Sequence, residues 1–175
     1  MAIEVRRYDA AQRAQWDALV QASRNGVFLF ERGYLDYHAD RFADASLMVW
    51  RDGEPAALLP AHRVDDAGGP VLVSHGGLTF GGLVLRSDLG AKDTIAIVDA
   101  LLARLRTEGW RALRVRPVPH IFHRLPSEDD VYALLQRGAR IVRTDLAHTV
   151  DLARRPRLAG GRRNALARAR RAGVQ

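Results

Sequence analysis

The sequence predicts one mixed α/β domain, a central sheet flanked by helices. Three observations carry this. Two apolar runs, 46–50 and 56–63, face each other across Asp52-Gly53, the strongest hairpin signal in the chain. One long stretch, 91–108, repeats Ile95, Val98, Leu101, Leu102 and Leu105 at helical spacing. Strand-like and helix-like segments also alternate along the chain, which requires a sheet with crossover helices, antiparallel in front and parallel at its centre.

The elements follow in order. Residues 3–8 alternate apolar and polar, as a strand does. Asp9 can cap a helix over 10–22 that carries Trp16, Leu19 and Val20 on one face, and Asn25-Gly26 ends it. A short second helix fits 31–39. After the hairpin come the apolar run 71–73, a glycine-dense loop at 74–82 and another apolar run, 83–85. Gly109 stops the long helix, and 113–115 is a strand closed by Pro117 and Pro119. Ser127 opens a helix with Glu128, Asp129 and Asp130 in its first turn, where acids suit the helix dipole. Residues 140–143 and 148–152 read as two closing strands. Gly160-Gly161 is a break before a basic, helix-prone segment over 162–172. Trp16, Trp50 and Trp110 fall within these elements and read as core.

Composition removes several classes of function. The chain has 175 residues, a length for one domain, and 47% of them are apolar, enough for a core. It has no cysteine, so disulfides, thiolate metal sites and a cysteine nucleophile are excluded. The N-terminus lacks the apolar stretch of a secretory signal, and no run approaches the ~20 residues of a membrane span. A cytoplasmic address is the default expectation.

The net charge of +7 lies in one place. Eight arginines and no acid stand between 154 and 171; the rest of the chain has 19 basic and 20 acidic residues. The expected division is therefore a folded domain over 1–153 and a basic linker helix over 154–175. That helix could meet nucleic acid through phosphates, contact a phosphorylated acceptor through Arg162 or Arg163, or be a solvated linker. No aromatic stands among the arginines, against single-strand binding.

The element order resembles that of the GNAT acyltransferase fold, and three segments sharpen the likeness. Ser74-His75-Gly76-Gly77-Leu78-Thr79-Phe80-Gly81-Gly82 resembles a loop of Fem-like, two-GNAT proteins. The stretch from Pro117 through His120, His123 and Pro126 to Leu134 resembles a second segment of that group. Arg162-Arg163-Asn164 through Val174 resembles the basic helix that links the first GNAT unit to the second.

The resemblance implies two packed GNAT-like halves that transfer an acyl or aminoacyl group to an amine, as in peptidoglycan bridge formation or N-acylation of sugars. It implies that this chain is the first half, forming the acceptor side, and that a second half beyond Gln175 carries the donor. The implied partners are a small-molecule or cell-wall-precursor amine and either that C-terminal half or a second copy. Nucleic acid is not expected, save tRNA.

One departure bears on the donor. A working GNAT site holds coenzyme A pyrophosphate on bare amides in a Q/R-x-x-G-x-G/A turn at the start of its long helix. The nearest text here is Arg86-Ser87-Asp88-Leu89-Gly90-Ala91. Its spacing is off by one, and Asp88 brings negative charge. No donor cofactor is therefore expected in this chain. Acetyl-CoA or aminoacyl-tRNA would serve the complete protein. A degenerate, non-catalytic module that binds a partner or dimerises fits the same departure.

The site residues divide by segment. Glycines in 74–82 allow close backbone approach, so Ser74, His75, Gly76, Thr79, Gly81 and Gly82 are expected to contact substrate. His75, titratable and glycine-flanked, is the candidate catalytic base. The same loop also reads as a bulged strand with a tight turn. His120 and His123 can line a cleft, pack or, in principle, bind metal, though no third ligand has suitable spacing. Ser74 and His75 are adjacent, so on a strand they point to opposite faces and cannot form a hydrolase pair.

Overall fold

The computed structural model describes residues 1–146, 148–155 and 157–174. The chain forms two compact units, Met1–Arg140 and Ile141–Gln175.

The first unit begins with β1 (Ile3–Arg7) and α1 (Arg13–Ala22). Asp9 caps the entry as its residue type predicts. Its carboxylate accepts from the Ala11 amide at 2.8 Å, and the Gln12 side chain accepts from the Asp9 amide at 3.2 Å. The second helix is shorter than expected: α2 is Arg32–Asp36, followed by turns. β2 (Leu47–Arg51) and β3 (Glu54–Leu59) form the expected hairpin. Asp52 and Gly53 both take positive φ, 52° and 86°, the geometry of a two-residue turn that matches strand twist.

The strand expected over 56–63 is two strands. β4 (His62–Asp66) starts after Pro60-Ala61 and pairs with β5 (Gly69–Val73), while β3 pairs with β2 and with β6 (Val84–Leu85). Pro60 has no N–H to give to a ladder, and the sheet divides there. α3 (Ala91–Thr107) follows, then β7 (Ala112–Arg114), parallel to β5, and α4 (Asp129–Gln136). The result is a four-stranded antiparallel sheet, β1-β2-β3-β6, and a three-stranded mixed sheet, β4-β5-β7.

Alternation along the hairpin divides the core. Val49, Ala57 and Leu59 face α3 and join Ile97, Val98, Leu101 and Leu105. Met48, Trp50, Leu58 and Val84 belong to the opposite cluster with Trp16, Leu19, Val20 and Phe30. Trp16 is fully buried, and its indole N–H donates to the Phe30 carbonyl at 2.7 Å. Trp50 is buried as expected, whereas Trp110 is only half-buried at the edge of the α3 cluster.

The two closing strands do not form among the described residues. Residues 140–146 and 148–151 carry no regular element. Ile141 is 73% exposed and Val142 91%. Their β propensity is a local property, whereas a ladder needs a neighbour, and none pairs with them here. Among its described residues the second unit has a 3-10 turn, Leu152–Arg154, and one α-helix, α5 (Gly160–Arg171), exposed along nearly all its length. No helix among the described residues is long and apolar enough to cross a membrane.

Candidate functional site: the glycine loop and its histidine cluster

The loop 74–82 leaves β5 at Val73 and returns to the sheet at β6. Its two flanks pair with the two halves of the broken strand, Val73 with His62 and Val84 with Leu58. Ser74 is buried, and its hydroxyl accepts from the Arg116 amide at 2.9 Å. The Gly81 amide donates to the Arg116 carbonyl at 2.7 Å. The Arg116 guanidinium donates to the carbonyls of Leu78 and Thr79, both at 3.2 Å. Arg116 thus stitches both ends of the loop to the segment after β7.

Packing explains much of the glycine content. A Cβ on Gly76 would lie 2.9 Å from Cε1 of His62, and one on Gly77 would lie 2.8 Å from Cε2 of Phe42. A Cβ on Gly81 would meet Ser74 at 3.1 Å, and Gly82 has φ +85°. These are the packing needs of a close-fitting connection that crosses from one sheet to the other. Leu78 and Phe80 plug the loop into the core. The backbone at Gly76 and the Thr79 side chain remain exposed for a ligand.

Behind the loop lies a cluster that the sequence does not announce. His75 is 3% exposed. Its ring lies 5.6 Å from that of His62 and 5.3 Å from Phe42. His38 packs on the other side of Phe42, at 6.3 Å. Burial, reinforced by His62, pushes the His75 pKa down to about 4. Among the described residues its Nδ1 has no hydrogen-bond partner, nor has Nε2 of His38. His75 is therefore a neutral, enclosed imidazole at neutral pH, too weakly basic to serve well as a general base there. His38 and Phe42 share one turn, the Phe42 amide donating to the His38 carbonyl at 3.1 Å, but His62 opens β4 a further 20 residues on and His75 follows β5, so no local spacing could have united the whole cluster.

His120 and His123 lie on a short 3-10 turn, His120–Phe122, with ring centroids 5.6 Å apart. His120 is exposed; His123 is half-buried, and its Nε2 lies 3.1 Å from the Val118 carbonyl. Phe122 stacks on Phe80, which brings this turn against the glycine loop. Asp130 lies in the first turn of α4 as expected of a helix-start acid, but it is buried, and burial raises its pKa. Its neighbour Asp129 pairs with the buried Arg24 at 3.0 Å. Among the described residues no group of three or more His, Asp and Glu could hold a metal ion.

The start of α3 is occupied by the chain's own acids. The Asp93 carboxylate accepts from the Gly90 amide at 3.1 Å and pairs with Arg51 at 2.9 Å. Asp88 pairs with Arg86 at 2.6 Å and with Arg51 at 3.4 Å. A pyrophosphate would meet two carboxylates there, with both arginines already engaged, so these residues do not fit that group. Arg162 and Arg163 belong to the second unit, on α5, and are exposed.

No family model matches the chain, and no curated protein matches its sequence. Solved structures do match its fold. A ribosomal-protein-alanine N-acetyltransferase from Brucella melitensis superposes with a TM-score of 0.54 at 14% identity, over 85% of this chain and 99% of that one. The aminoglycoside N-acetyltransferase AAC(6')-Iy, in complex with a bisubstrate analogue, gives 0.53 at 14% identity over 86% and 99%. A glucosamine-6-phosphate N-acetyltransferase from Arabidopsis thaliana gives 0.50 at 10% identity over 86% and 100%. The chain has the GNAT-type α/β fold.

Proposed function

We propose that this chain is the acceptor-side domain of a Fem-like N-acyltransferase, which moves an acyl or aminoacyl group onto an amine held against the loop 74–82. The observation that carries this reading is the filled start of α3, where Asp93 holds the Gly90 amide and both acids hold Arg51. A GNAT-type fold without a usable phosphate turn suits the half that meets the acceptor. The donor, acetyl-CoA or aminoacyl-tRNA, then belongs to another domain.

In this reading the exposed backbone at Gly76 and the hydroxyl of Thr79 contact the acceptor. Ser74 and Gly81 shape the wall through Arg116, and Gly82 through its positive φ, rather than touching the substrate. His75 lines the wall in neutral form, and the base that takes the amine proton comes from elsewhere. His120 borders the cleft beside Phe122. The same filled helix start also supports a non-catalytic module that binds a partner.

Two titrations test this. Calorimetry with acetyl-CoA should show no specific heat; a micromolar Kd, about −8 kcal/mol, would make the chain a complete enzyme. NMR titration with an amino sugar should shift the amides of 76–80. Unmoved loop amides at millimolar ligand would leave the non-catalytic module as the better reading.

A further inference from the structure

We propose that His62 is a proton-sensitive clamp on the loop 74–82: its neutral ring holds the Gly76 amide, and protonation releases it. The inference concerns the shape of the loop and stands whether or not an acceptor amine binds there.

The placement comes from the register. His62 opens β4 opposite Val73, the last residue of β5, so its ring lies where the chain leaves the sheet for the loop. The Gly76 N–H donates to Nδ1 of His62 at 3.0 Å, fourteen residues away in sequence. An imidazole that accepts at Nδ1 is neutral and carries its proton on Nε2. A Cβ at Gly76 would lie 2.9 Å from Cε1 of this ring and 3.0 Å from Cε1 of Phe42, so the position has no room for one.

The other ties of the loop do not titrate near neutral pH. The amides of Ser74, His75 and Gly81 donate to the carbonyls of Arg114, Pro60 and Arg116. The Arg116 guanidinium, always charged, holds Leu78 and Thr79. His62 alone among these partners can lose its acceptor by taking a proton. A proton on Nδ1 would set one N–H against another at hydrogen-bond distance, and Gly76 would have to move.

The surroundings set the direction. His62 is 6% exposed, and burial lowers its pKa, while the Val73 carbonyl opposes the shift. The ring centroid lies 5.6 Å from that of His75, tilted by 58°, and 4.9 Å from that of the uncharged Phe42, inclined by 70°. Beyond Phe42 lie His38 and its neighbour Arg41. Asp44, bridged to His62 through the backbone, is the nearby acid, and Arg32 engages it at 2.7 Å. The charges around the ring thus offer a cation little net support. With a depressed folded pKa, the clamp is whole above 6.5 and is lost as pH falls through the lower folded value.

The experiment is NMR with amide exchange on the whole chain. At pH 7 the His62 ring nitrogens should report Nε2–H and an accepting Nδ1. Between pH 7 and pH 4 the protection factor of the Gly76 amide should fall about tenfold or more, while a core ladder amide such as Leu58 stays protected. His62→Asn keeps an acceptor near the position of Nδ1 but cannot titrate, so Gly76 should stay protected across the range. His62→Phe should leave Gly76 unprotected at both ends. An Nδ1-protonated neutral ring, or the same acid-dependent loss in His62→Asn as in the parent chain, would overturn the proposal.

Discussion

The rings of Phe80 and Phe122 stack with centroids 5.1 Å apart and planes inclined by 26°. Phe80 lies in the glycine loop and Phe122 on the turn that bears His120 and His123. Two segments that the sequence marks separately are therefore one surface. A double-mutant cycle on Phe80→Leu and Phe122→Ala should give a coupling of about 0.5–1.5 kcal/mol in urea denaturation. Additive effects would mean that the stack joins the segments in geometry only.

Acid should weaken the fold through His75. Its ring is held near pKa 4, first by burial and then by His62, whereas an unfolded histidine titrates near 6.5. Between those values the unfolded chain binds a proton that the folded chain refuses. Stability from this group is complete above 6.5 and declines as pH falls towards 4, by about 3 kcal/mol. Thermal melts over pH 7 to 4 should show a shallower decline for His75→Gln than for the parent chain. Equal slopes would assign the acid sensitivity to other groups.

The legible parts of the fold were those fixed by neighbours in sequence. Asp52-Gly53 had to turn, Asp9 could cap the first helix, and the α3 stripe had only one face to bury. Long-range partnership was not legible. Asn25 reads as a helix stop, yet its side-chain amide donates to the Leu83 carbonyl at 2.7 Å and accepts from the Leu85 amide at 2.9 Å, so it edges β6 like a strand. In the loop, the glycines were visible, but the His62, Phe42 and His38 rings they accommodate are not adjacent to them in sequence. The histidine cluster needed the fold to assemble it.

Arg24 should be among the most costly surface-type residues to remove. It is 5% exposed, pairs with Asp129, and donates to the Ser127 hydroxyl and the Leu89 carbonyl. It thereby joins the end of α1, the start of α3 and the start of α4. Arg24→Ala leaves these acceptors in place without their donor, at a cost of about 3–5 kcal/mol. Chemical denaturation measures it, and a loss below about 1 kcal/mol would mean that water replaces the guanidinium freely.

Polyanion binding should depend on the last segment. Residues 154–175 hold eight arginines and no acid, and the remainder has 19 basic and 20 acidic residues. A chain ending at 153 should lose retention on heparin at moderate salt, because its long-range field is close to neutral. Retention by the shortened chain would locate a basic patch on the folded body instead.

Self-association should be measurable and should strengthen with salt. In the first unit, β7 is the last strand of its sheet, with an open groove of about 150 Å³ beside it lined by Leu102, Leu105, Trp110 and Leu113. In the second unit, Ile141, Val142, Leu146, Val150 and Leu152 are all exposed. An unpaired strand edge and a run of exposed β-branched and leucine side chains are both unusual on a monomer, and a strand added to the edge would cover the two together. A second copy can supply that strand reciprocally, since each chain carries both surfaces and a two-fold axis lets each serve the other. The arginines of α5 repel their counterparts in the pair, and added salt screens that repulsion while leaving the apolar contact in place. Sedimentation at low and high ionic strength should therefore show a dimer fraction that grows with both protein and salt. Asp in place of Val142 and Leu146 should abolish it. A strict monomer in both buffers at high concentration would mean that these apolar side chains find their cover within one chain.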